Sequence, residues 1–305
     1  MGGWWGKKND RLAMTALEAA LELGINFFDT ALVYGDGHCE KLLGNFIKNR
    51  REKIIIATKV PPKNYQWPAK ETTPIQSAFP REWVIRCTEQ SLRHLKTDYL
   101  DLQQLHVWTD AWIGEEDWAS AFDELHRKGL VRHWGVSVND HAPESALKLV
   151  SWGKVAEVQV IYNLFDQSPR KELLALCQEK KVGVIARVPF DEGSLTGQLS
   201  LETRFTKGDW RSEYFRGKRL IETVHRVTEL KELLAQYDES LPGAALRFCL
   251  SNPAVSTVIP GMRRPEHVRT NGSVSNGQLF PSKLLNELSA HAWQRNFYVG
   301  TACSK

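Results

Sequence analysis

The stretch NFFDTALVYGDGHCEKLLG, residues 26–44, passes from an apolar run through a polar, glycine-rich turn into a helical pattern. A short apolar run of this kind predicts a buried strand, and this one closes on an acid, Asp29. A phenol, Tyr34, follows five positions later. A carboxylate that closes a buried strand, with a tyrosine just beyond it, makes the residues that close the other strands worth comparing.

The same pattern of a strand followed by a helix repeats along the chain. Apolar runs that predict buried strands occupy 25–31, 53–60, 99–106, 133–138, 157–163, 183–189 and 255–261. Helical patterns lie near 38–50, 81–95, 115–128, 142–151, 169–180, 222–236, 242–251 and 281–292. Near-continuous apolar strands, each followed by a helix, indicate a parallel sheet covered by helices.

This alternation predicts an α/β fold, a (β/α)8 TIM barrel that forms one domain over residues 1–305. No Pro- or Ser-rich linker interrupts it. The alternative is an open doubly wound sheet, which normally carries G-x-G-x-x-G after its first strand; the segment YGDG at 34–37 does not match that motif. Only seven of the eight barrel strands are readable.

The composition argues against several classes of protein. The chain is 42% hydrophobic and 25% charged, and its net charge of +4 is spread without a basic run, so neither nucleic acid nor a membrane is expected as a partner. No run of 18 apolar residues and no export signal is present, and we expect a cytoplasmic protein. The cysteines are too scattered for a disulfide framework or a zinc site, so no metal is expected: Cys39, Cys87, Cys177, Cys249 and Cys303.

The chemistry of a barrel lies at the carboxyl ends of its strands. Asp29 closes the first readable strand with Tyr34 behind it, Lys59 closes the second and His106 the third. Each alone could be a cap, a rim residue or a packed histidine, but the four together suit proton transfer to a carbonyl oxygen. Lys59 would stabilise the phenolate of Tyr34, Asp29 would hold the ammonium, and His106 would orient the carbonyl. None supplies a hydride, so a nicotinamide cofactor would be required.

The four residues, in FFDTALVYG, IATKV and LQQLH, resemble the catalytic tetrad of the aldo-keto reductases, barrel enzymes that use NAD(P)H. The resemblance continues through GVSVND, VQVIYNLFDQSP, GVIARVPFDEGSLTG and STVIPGMRRPEHV and so covers nearly the whole chain. It implies reduction of an aldehyde or ketone, with Tyr34 as the general acid. The small-molecule carbonyl substrate itself is not specified.

The resemblance also implies a cofactor site. Arg263 stands where a guanidinium would bind a 2′-phosphate, which favours NADP (NADPH) over NAD. Five tryptophans lie in loops that could line the substrate mouth: Trp4, Trp5, Trp108, Trp112 and Trp293. Trp108 is the one we predict to contact substrate. The positions implied to bind cofactor are Ser137, Asn139, Gln159, Arg187, Pro189, Phe190, Gly193, Leu195, Gly197, Gly261, Arg263, His267 and Asn271.

Two departures from the family pattern stand out. Arg187 occupies the position where the family stacks a tyrosine on the nicotinamide. Met1 falls where the first family strand should already have ended, so we expect either a start further upstream or a barrel that closes in another way. Besides a reductase, the sequence allows a non-catalytic, NADP-binding regulatory or redox-sensing subunit, or a defective fragment.

Overall fold

Each apolar run forms a strand, and the strands lie side by side in one parallel sheet. The computed structural model describes residues 9–298, except for the side chain of Glu116, so Trp4 and Trp5 lie outside the described residues. The strands are β1 (Phe27–Asp29), β2 (Ile55–Val60), β3 (Leu100–Leu105), β4 (Val131–Ser137), β5 (Glu157–Ile161), β6 (Gly183–Arg187) and β7 (Val255–Val258). Their order in the sheet is their order in the sequence, which confirms the predicted wall of parallel strands.

Helices precede the first strand, occupy the connections between the strands and follow the last strand. They are α1 (Asp10–Glu22), α2 (His38–Phe46), α3 (Ile75–Ala78), α4 (Arg81–Leu95), α5 (Glu116–Arg127), α6 (Leu147–Trp152), α7 (Leu173–Lys180), α8 (Arg211–Tyr214), α9 (Lys218–Ala235), α10 (Leu241–Leu250), α11 (Pro265–Gly272) and α12 (Ser282–Ser289). α4, α5, α7 and α10 pack against the sheet. The main apolar core, drawn from both helices and strands, lies between these two layers.

The helix before the first strand, α1, packs against the helix after the last strand, α11. Three small residues of α1, Ala16, Ala19 and Ala20, form one buried apolar cluster with Val268 of α11. Within residues 9–298, β1 pairs only with β2, and β7 pairs only with β6. The fold is therefore a curled sheet of seven strands with surrounding helices, consistent with the predicted (β/α)8 barrel.

The register of the strands brings their carboxyl ends to one edge of the sheet. Lys59 on β2 lies opposite Gln104 on β3. Ser137 at the end of β4 lies opposite Gln159 on β5, and Arg187 ends β6 opposite Ile161. Side chains that close successive strands therefore share this edge, where a parallel α/β fold binds its ligands.

The polar segment 198–221, which the sequence allowed as a cofactor cover or a surface loop, packs against the C-terminal part of the chain. It contains α8. Its aromatic rings join a small cluster with those of the residues after α12: Phe205, Trp210, Tyr214, Phe215, Trp293, Phe297 and Tyr298. The segment is thus fastened to residues 293–298 by apolar packing.

The described residues also bear on the predicted absences. Cys39, Cys87, Cys177 and Cys249 are buried and form no disulfide, and Cys303 lies outside the described part. Between residues 9 and 298, no group of three or more His, Cys, Asp or Glu side chains could hold a metal ion. No helix in that range is long and apolar enough to cross a bilayer.

Candidate active site

A buried ion pair joins the ends of the first two strands. Lys59 Nζ donates to Asp29 Oδ1 at 2.5 Å and to the Thr30 carbonyl oxygen at 2.8 Å. Lys59 is 0% exposed. Burial alone would lower the pKa of Lys59, but the charge and the hydrogen bond of Asp29, together with nearby Tyr34, raise it above its usual value. The structure therefore keeps a charged ammonium at the carboxyl edge of the sheet.

Two amides hold the second oxygen of Asp29. Gln159 Nε2 donates to Asp29 Oδ2 at 2.9 Å and to Gln104 Oε1 at 3.2 Å. Gln104 Nε2 lies 3.4 Å from the same carboxylate oxygen. Gln104 was not predicted from the sequence. It lies two residues before His106, and side chains two residues apart on a strand point to the same face. Gln159, implied to hold the nicotinamide, is thus committed by its nitrogen to this network.

Tyr34 stands in the loop after β1, next to the ammonium. Lys59 Nζ lies 5.4 Å from the centroid of the Tyr34 ring. The ring of His106 meets the Tyr34 ring edge-on, with centroids 5.7 Å apart. Burial raises the pKa of Tyr34, and the cation of Lys59 opposes that rise without cancelling it. The phenol is therefore protonated at neutral pH and available as a proton donor.

His106 follows β3 and remains neutral. Burial lowers its pKa well below the usual value, and the cations of Lys59 and Arg187 lower it further. Its Nδ1 is buried without a hydrogen-bond partner among the described residues. A neutral imidazole carries one N–H, which it can donate to an oxygen. The structure thus brings the four predicted catalytic residues together.

Arg187 lies at the end of β6 and braces the loop that follows β4. Its Nη2 donates to Asp140 Oδ1 at 2.6 Å and to the Val138 carbonyl oxygen at 3.0 Å. Its Nε is buried and has no partner among the described residues. Burial alone would lower the pKa of Arg187, but the carboxylate of Asp140, together with Tyr298 and Tyr34, more than offsets this. A cation therefore stands beside the proposed nicotinamide position, with its charge partly compensated.

The loop after β6 has the unusual backbone expected of a phosphate-binding loop. Val188, Asp191 and Glu192 have φ values of 53°, 44° and 56°, and Gly193 has a φ of 100°. A Cβ added at Gly193 would have only Arg211 Nη1 nearby, at 3.6 Å. A ligand can therefore approach the backbone at Gly193 closely, and Arg211 is a neighbouring cation that the sequence did not single out.

The other residues expected in this loop divide into buried and half-buried positions. Pro189 and Leu195 are buried, whereas Phe190 and Gly197 are half-buried. Leu195 belongs to the main apolar core. Gly197 accepts a hydrogen bond from Lys231 Nζ at 2.9 Å through its carbonyl. Leu195 thus supports the loop from below and offers no surface to a ligand.

The acidic residues of this loop are held by the C-terminal part of the chain. Arg295 Nη2 pairs with Asp191 Oδ1 at 2.5 Å, and the Tyr214 hydroxyl donates to the same oxygen at 3.1 Å. The Tyr298 hydroxyl donates to Glu192. Burial raises the pKa of Glu192 to about 7, although the Tyr298 hydrogen bond opposes the rise. Glu192 is therefore a carboxyl group that changes charge near neutral pH.

We expect the Glu192→Gln substitution to stabilise the protein at pH 8 but much less at pH 5. The unfolded carboxyl titrates near pH 4.3, so stability falls as pH rises from about 4.3 to about 7, where the folded group releases its proton. Glutamine carries no such proton and still accepts from Tyr298. The expected gain at pH 8 is on the order of 2–4 kcal/mol, or about 5 °C or more in Tm. Equal gains at pH 5 and pH 8 would contradict the assignment.

The residues expected to hold the adenosine phosphate lie after β7 and at α11. Gly261 and His267 are exposed, Arg263 is half-buried and Asn271 is buried. Burial acts to raise the pKa of Asp209, yet hydrogen bonds from Arg211 and the cations of Arg211 and Arg263 lower it overall. Arg263 is thus placed near the segment 198–221. Because β6 and β7 are neighbours, this site adjoins the loop that contains Gly193.

A model of the aldo/keto reductase family matches residues 1–292. The chain belongs to the aldo/keto reductase family. The uncharacterized oxidoreductase YqkF of Bacillus subtilis is 31% identical over 292 residues, which span 92% of this chain and 88% of the relative. A probable voltage-gated potassium channel subunit beta of Arabidopsis thaliana is 28% identical over 88% of this chain and 84% of its own.

Solved structures of aldo/keto reductases share the fold. The holo form of an aldo-keto reductase from Bacillus halodurans superposes with a TM-score of 0.74 at 25% identity, covering 96% of this chain and 91% of the other. The agreement extends over almost the full length of both chains. The predicted family membership and barrel fold are therefore confirmed.

The prediction for Trp108 is corrected by its position in this aldo/keto reductase. Trp108 is 0% exposed. Its ring packs edge-on against Trp112 and Trp118, and its Nε1 donates to Asp110 at 3.0 Å. Such an indole has no face left for a substrate. The residue two positions after the histidine turns into the aromatic core, not toward the pocket.

Trp67 lies against the site instead, and the sequence analysis missed it. Its ring meets the His106 ring edge-on with centroids 5.9 Å apart, and it is 45% exposed. Trp67 belongs to the loop after β2, the strand that carries Lys59. The rule that loops at the carboxyl ends of barrel strands line the site could have identified it.

A nicotinamide cofactor fits the residues present. Arg187 Nε is a buried donor without a partner in the described part of the chain, and it belongs to the residue expected beside the nicotinamide. Neither Gly193 nor Gly261 would bring a Cβ within 3.5 Å of another group, so the backbone at both is approachable. Nearby Arg211 and Arg263 suit phosphates.

Proposed function

We propose that the protein reduces an aldehyde or ketone to an alcohol with NADPH. The observation that carries the proposal is the buried Lys59–Asp29 pair, with its ammonium beside the ring of Tyr34 and with the His106 ring edge-on to that of Tyr34. A buried cation next to a protonated phenol suits proton donation to a carbonyl oxygen that gains negative charge.

The four side chains have distinct roles in this reaction. Tyr34 donates its phenolic proton to the carbonyl oxygen, and Lys59 stabilises the phenolate that remains. Asp29, steadied by Gln104 and Gln159, keeps Lys59 charged and in place. His106 is neutral and donates its N–H to the same oxygen, which orients the carbonyl. When bound, NADPH supplies the hydride.

The remaining residues hold the cofactor. Ser137 and Arg187 border the nicotinamide, and the backbone at Gly193 accommodates the pyrophosphate. Arg263, with His267 and Asn271 on α11, holds the adenosine phosphate, and its guanidinium favours NADPH over NADH. The buried cysteines of the described part, which form no disulfide, suit a cytoplasmic enzyme. The single seven-stranded sheet suits one domain.

A second candidate function is a non-catalytic, NADP-binding regulatory subunit. It is favoured by the 28% identity to the Arabidopsis relative named as a potassium channel subunit beta. Fold and tetrad are compatible with either role, because one fold supports many functions.

Two measurements on the purified protein test the proposal. Titration with NADPH, followed by quenching of tryptophan fluorescence, gives the Kd. Stopped-flow mixing of the NADPH-loaded protein with a panel of aldehydes then measures oxidation of the bound cofactor. A reductase consumes NADPH in proportion to aldehyde, whereas a regulatory subunit binds NADPH and leaves it reduced. A chain that binds no NADPH contradicts both candidates.

We expect Arg187→Tyr to shift the ratio of the NADP⁺ and NADPH affinities by a few-fold in favour of NADP⁺. The nicotinamide becomes positively charged on oxidation, so a nearby guanidinium disfavours the oxidised form. Asp140 compensates part of that charge, which limits the effect. Isothermal titration of each cofactor form with wild type and variant measures the ratio. An unchanged ratio would contradict a position beside the nicotinamide.

A further inference from the structure

The side chain of Asn139 is bound to the backbone of a distant loop. Asn139 Oδ1 accepts from the Ala69 amide nitrogen at 3.1 Å, and Asn139 Nδ2 donates to the Ala69 carbonyl oxygen at 3.0 Å. Both partners are buried. This paired geometry copies the way in which one strand bonds to another. An amide used in this way retains one N–H and one lone pair for anything else.

The loop 61–74, between β2 and α3, is tied at both ends by other contacts. Trp83 Nε1 donates to the Pro61 carbonyl oxygen at 2.7 Å. Trp112 Nε1 donates to the Thr73 carbonyl oxygen at 2.7 Å. Among the hydrogen bonds that the structure describes, those of Asn139 are the ones that tie residues 66–72 to another part of the fold. The hydrogen bonding of the middle of the loop to the rest of the fold thus depends on Asn139.

The middle of this loop carries two exposed rings next to the catalytic histidine. Trp67 lies two residues from Ala69, with its ring edge-on to His106. Tyr65 is 61% exposed, and its ring centroid lies 6.1 Å from that of Trp67. Large apolar rings in this position form a wall for a planar apolar group.

Arg187 fixes the other end of the connection. It bonds to the Val138 carbonyl and to the Asp140 carboxylate, the residues on either side of Asn139. The loop after β4 is therefore rigid at the point from which Asn139 reaches Ala69. The connection runs from Arg187 through Asn139 to the wall formed by Tyr65 and Trp67.

We propose that Asn139 is a positioning residue for the substrate wall and not a ligand of the nicotinamide carboxamide, and that this wall selects carbonyl compounds that carry a planar aromatic group. Asn139 holds Ala69, and Ala69 sets where Trp67 stands against His106. This proposal rests on the proposed reductase function for its substrate arm only. The parts of the proposal that concern loop order and cofactor affinity can be tested whether or not the protein reduces a carbonyl compound.

The experiment compares Asn139→Ala with Ser137→Ala as the matched control on the same strand end. Hydrogen exchange of the cofactor-free protein should show protection at residues 66–72 lost at least tenfold in Asn139→Ala and unchanged in Ser137→Ala. The Kd for NADPH of Asn139→Ala should stay within twofold of wild type. The kcat/KM for 2-naphthaldehyde should fall at least tenfold, and that for propanal less than threefold.

Ala69→Pro provides a second variant that leaves Asn139 intact. Proline has no backbone N–H, so Asn139 loses the hydrogen bond that it accepts from residue 69. The loop should therefore lose protection, and the preference for the aromatic aldehyde should fall as it does in Asn139→Ala. Trp67→Ala should abolish that preference with the exchange at Ala69 unchanged. If Asn139 is a carboxamide ligand, Asn139→Ala raises the NADPH Kd tenfold or more while Ala69→Pro does nothing, which overturns the proposal. If no aldehyde oxidises NADPH, the proposed reductase function is wrong. In that case hydrogen exchange and the Kd for NADPH still decide the role of Asn139.

Discussion

Replacing Tyr34 with phenylalanine should lower kcat/KM for aldehyde reduction by about a thousandfold, in the middle of the range for removing a general acid. The change deletes the hydroxyl and keeps the ring that contacts His106. Binding of NADPH should therefore stay within about twofold of wild type, as measured by fluorescence titration. Because burial raises the pKa of Tyr34, reduction by wild type should show no loss through pH 9 from this group.

The pH dependence of the wild-type rate and the activity of Tyr34→Phe both test whether Tyr34 is the proton donor. Reduction requires the protonated phenol, so the wild-type rate falls only as pH rises past the folded pKa, which lies above 10. A Tyr34→Phe variant that keeps a tenth or more of the wild-type kcat/KM would show that another group delivers the proton. Multiple-turnover and single-turnover rates should be compared, since slow product release can hide a slower chemical step.

Replacing Lys59 with methionine should cost both activity and stability. The substitution leaves the Asp29 carboxylate in the fold without its cation, although Gln159 still donates to it. Removing one partner of a buried pair costs about 3–5 kcal/mol, and the amide bonds should keep the cost near the lower end. We expect Tm to fall by about 6 °C or more. Reduction should fall with it, because nothing then stabilises the phenolate of Tyr34.

A double-mutant cycle separates the pair from other effects of the substitution. Asp29→Asn alone and Lys59→Met alone should together destabilise more than the combined variant does, because the combined variant leaves no unpaired charge. Urea unfolding of the four proteins gives the coupling free energy. Additive losses would mean that the two groups do not depend on each other, contrary to their 2.5 Å contact.

The fold and the proximity of Asp29, Tyr34, Lys59 and His106 could be predicted because their signals are local. Each apolar run had the length of a strand, and a parallel sheet places the ends of successive strands together whatever the loops do. That rule alone predicts that three residues lie close together: Asp29, Lys59 and His106. Seven strands were counted in the sequence, and seven pair in the described part of the chain.

The rest of the site depends on where loops travel, which periodicity does not reveal. Asn139 and Ala69 are 70 residues apart in the chain, and no local pattern announces that they meet. Trp108 and Trp67 are both aromatic residues just past a strand, yet one packs inward against Trp112 and the other remains half exposed. Only the packing distinguishes them.

The alanine contact between α1 and α11 has a consequence for how the molecule opens. Within residues 9–298, no strand pairing joins β7 to β1. The first and last parts of the sheet are joined there by side-chain packing, through α1 and α11 and through an interior cluster that both Phe27 and Ile259 contact. Small side chains allow a close approach but bury little area, which makes such a contact an early point of local unfolding. A phosphate held at α11 would therefore damp fluctuations of α1, which is far in sequence from α11.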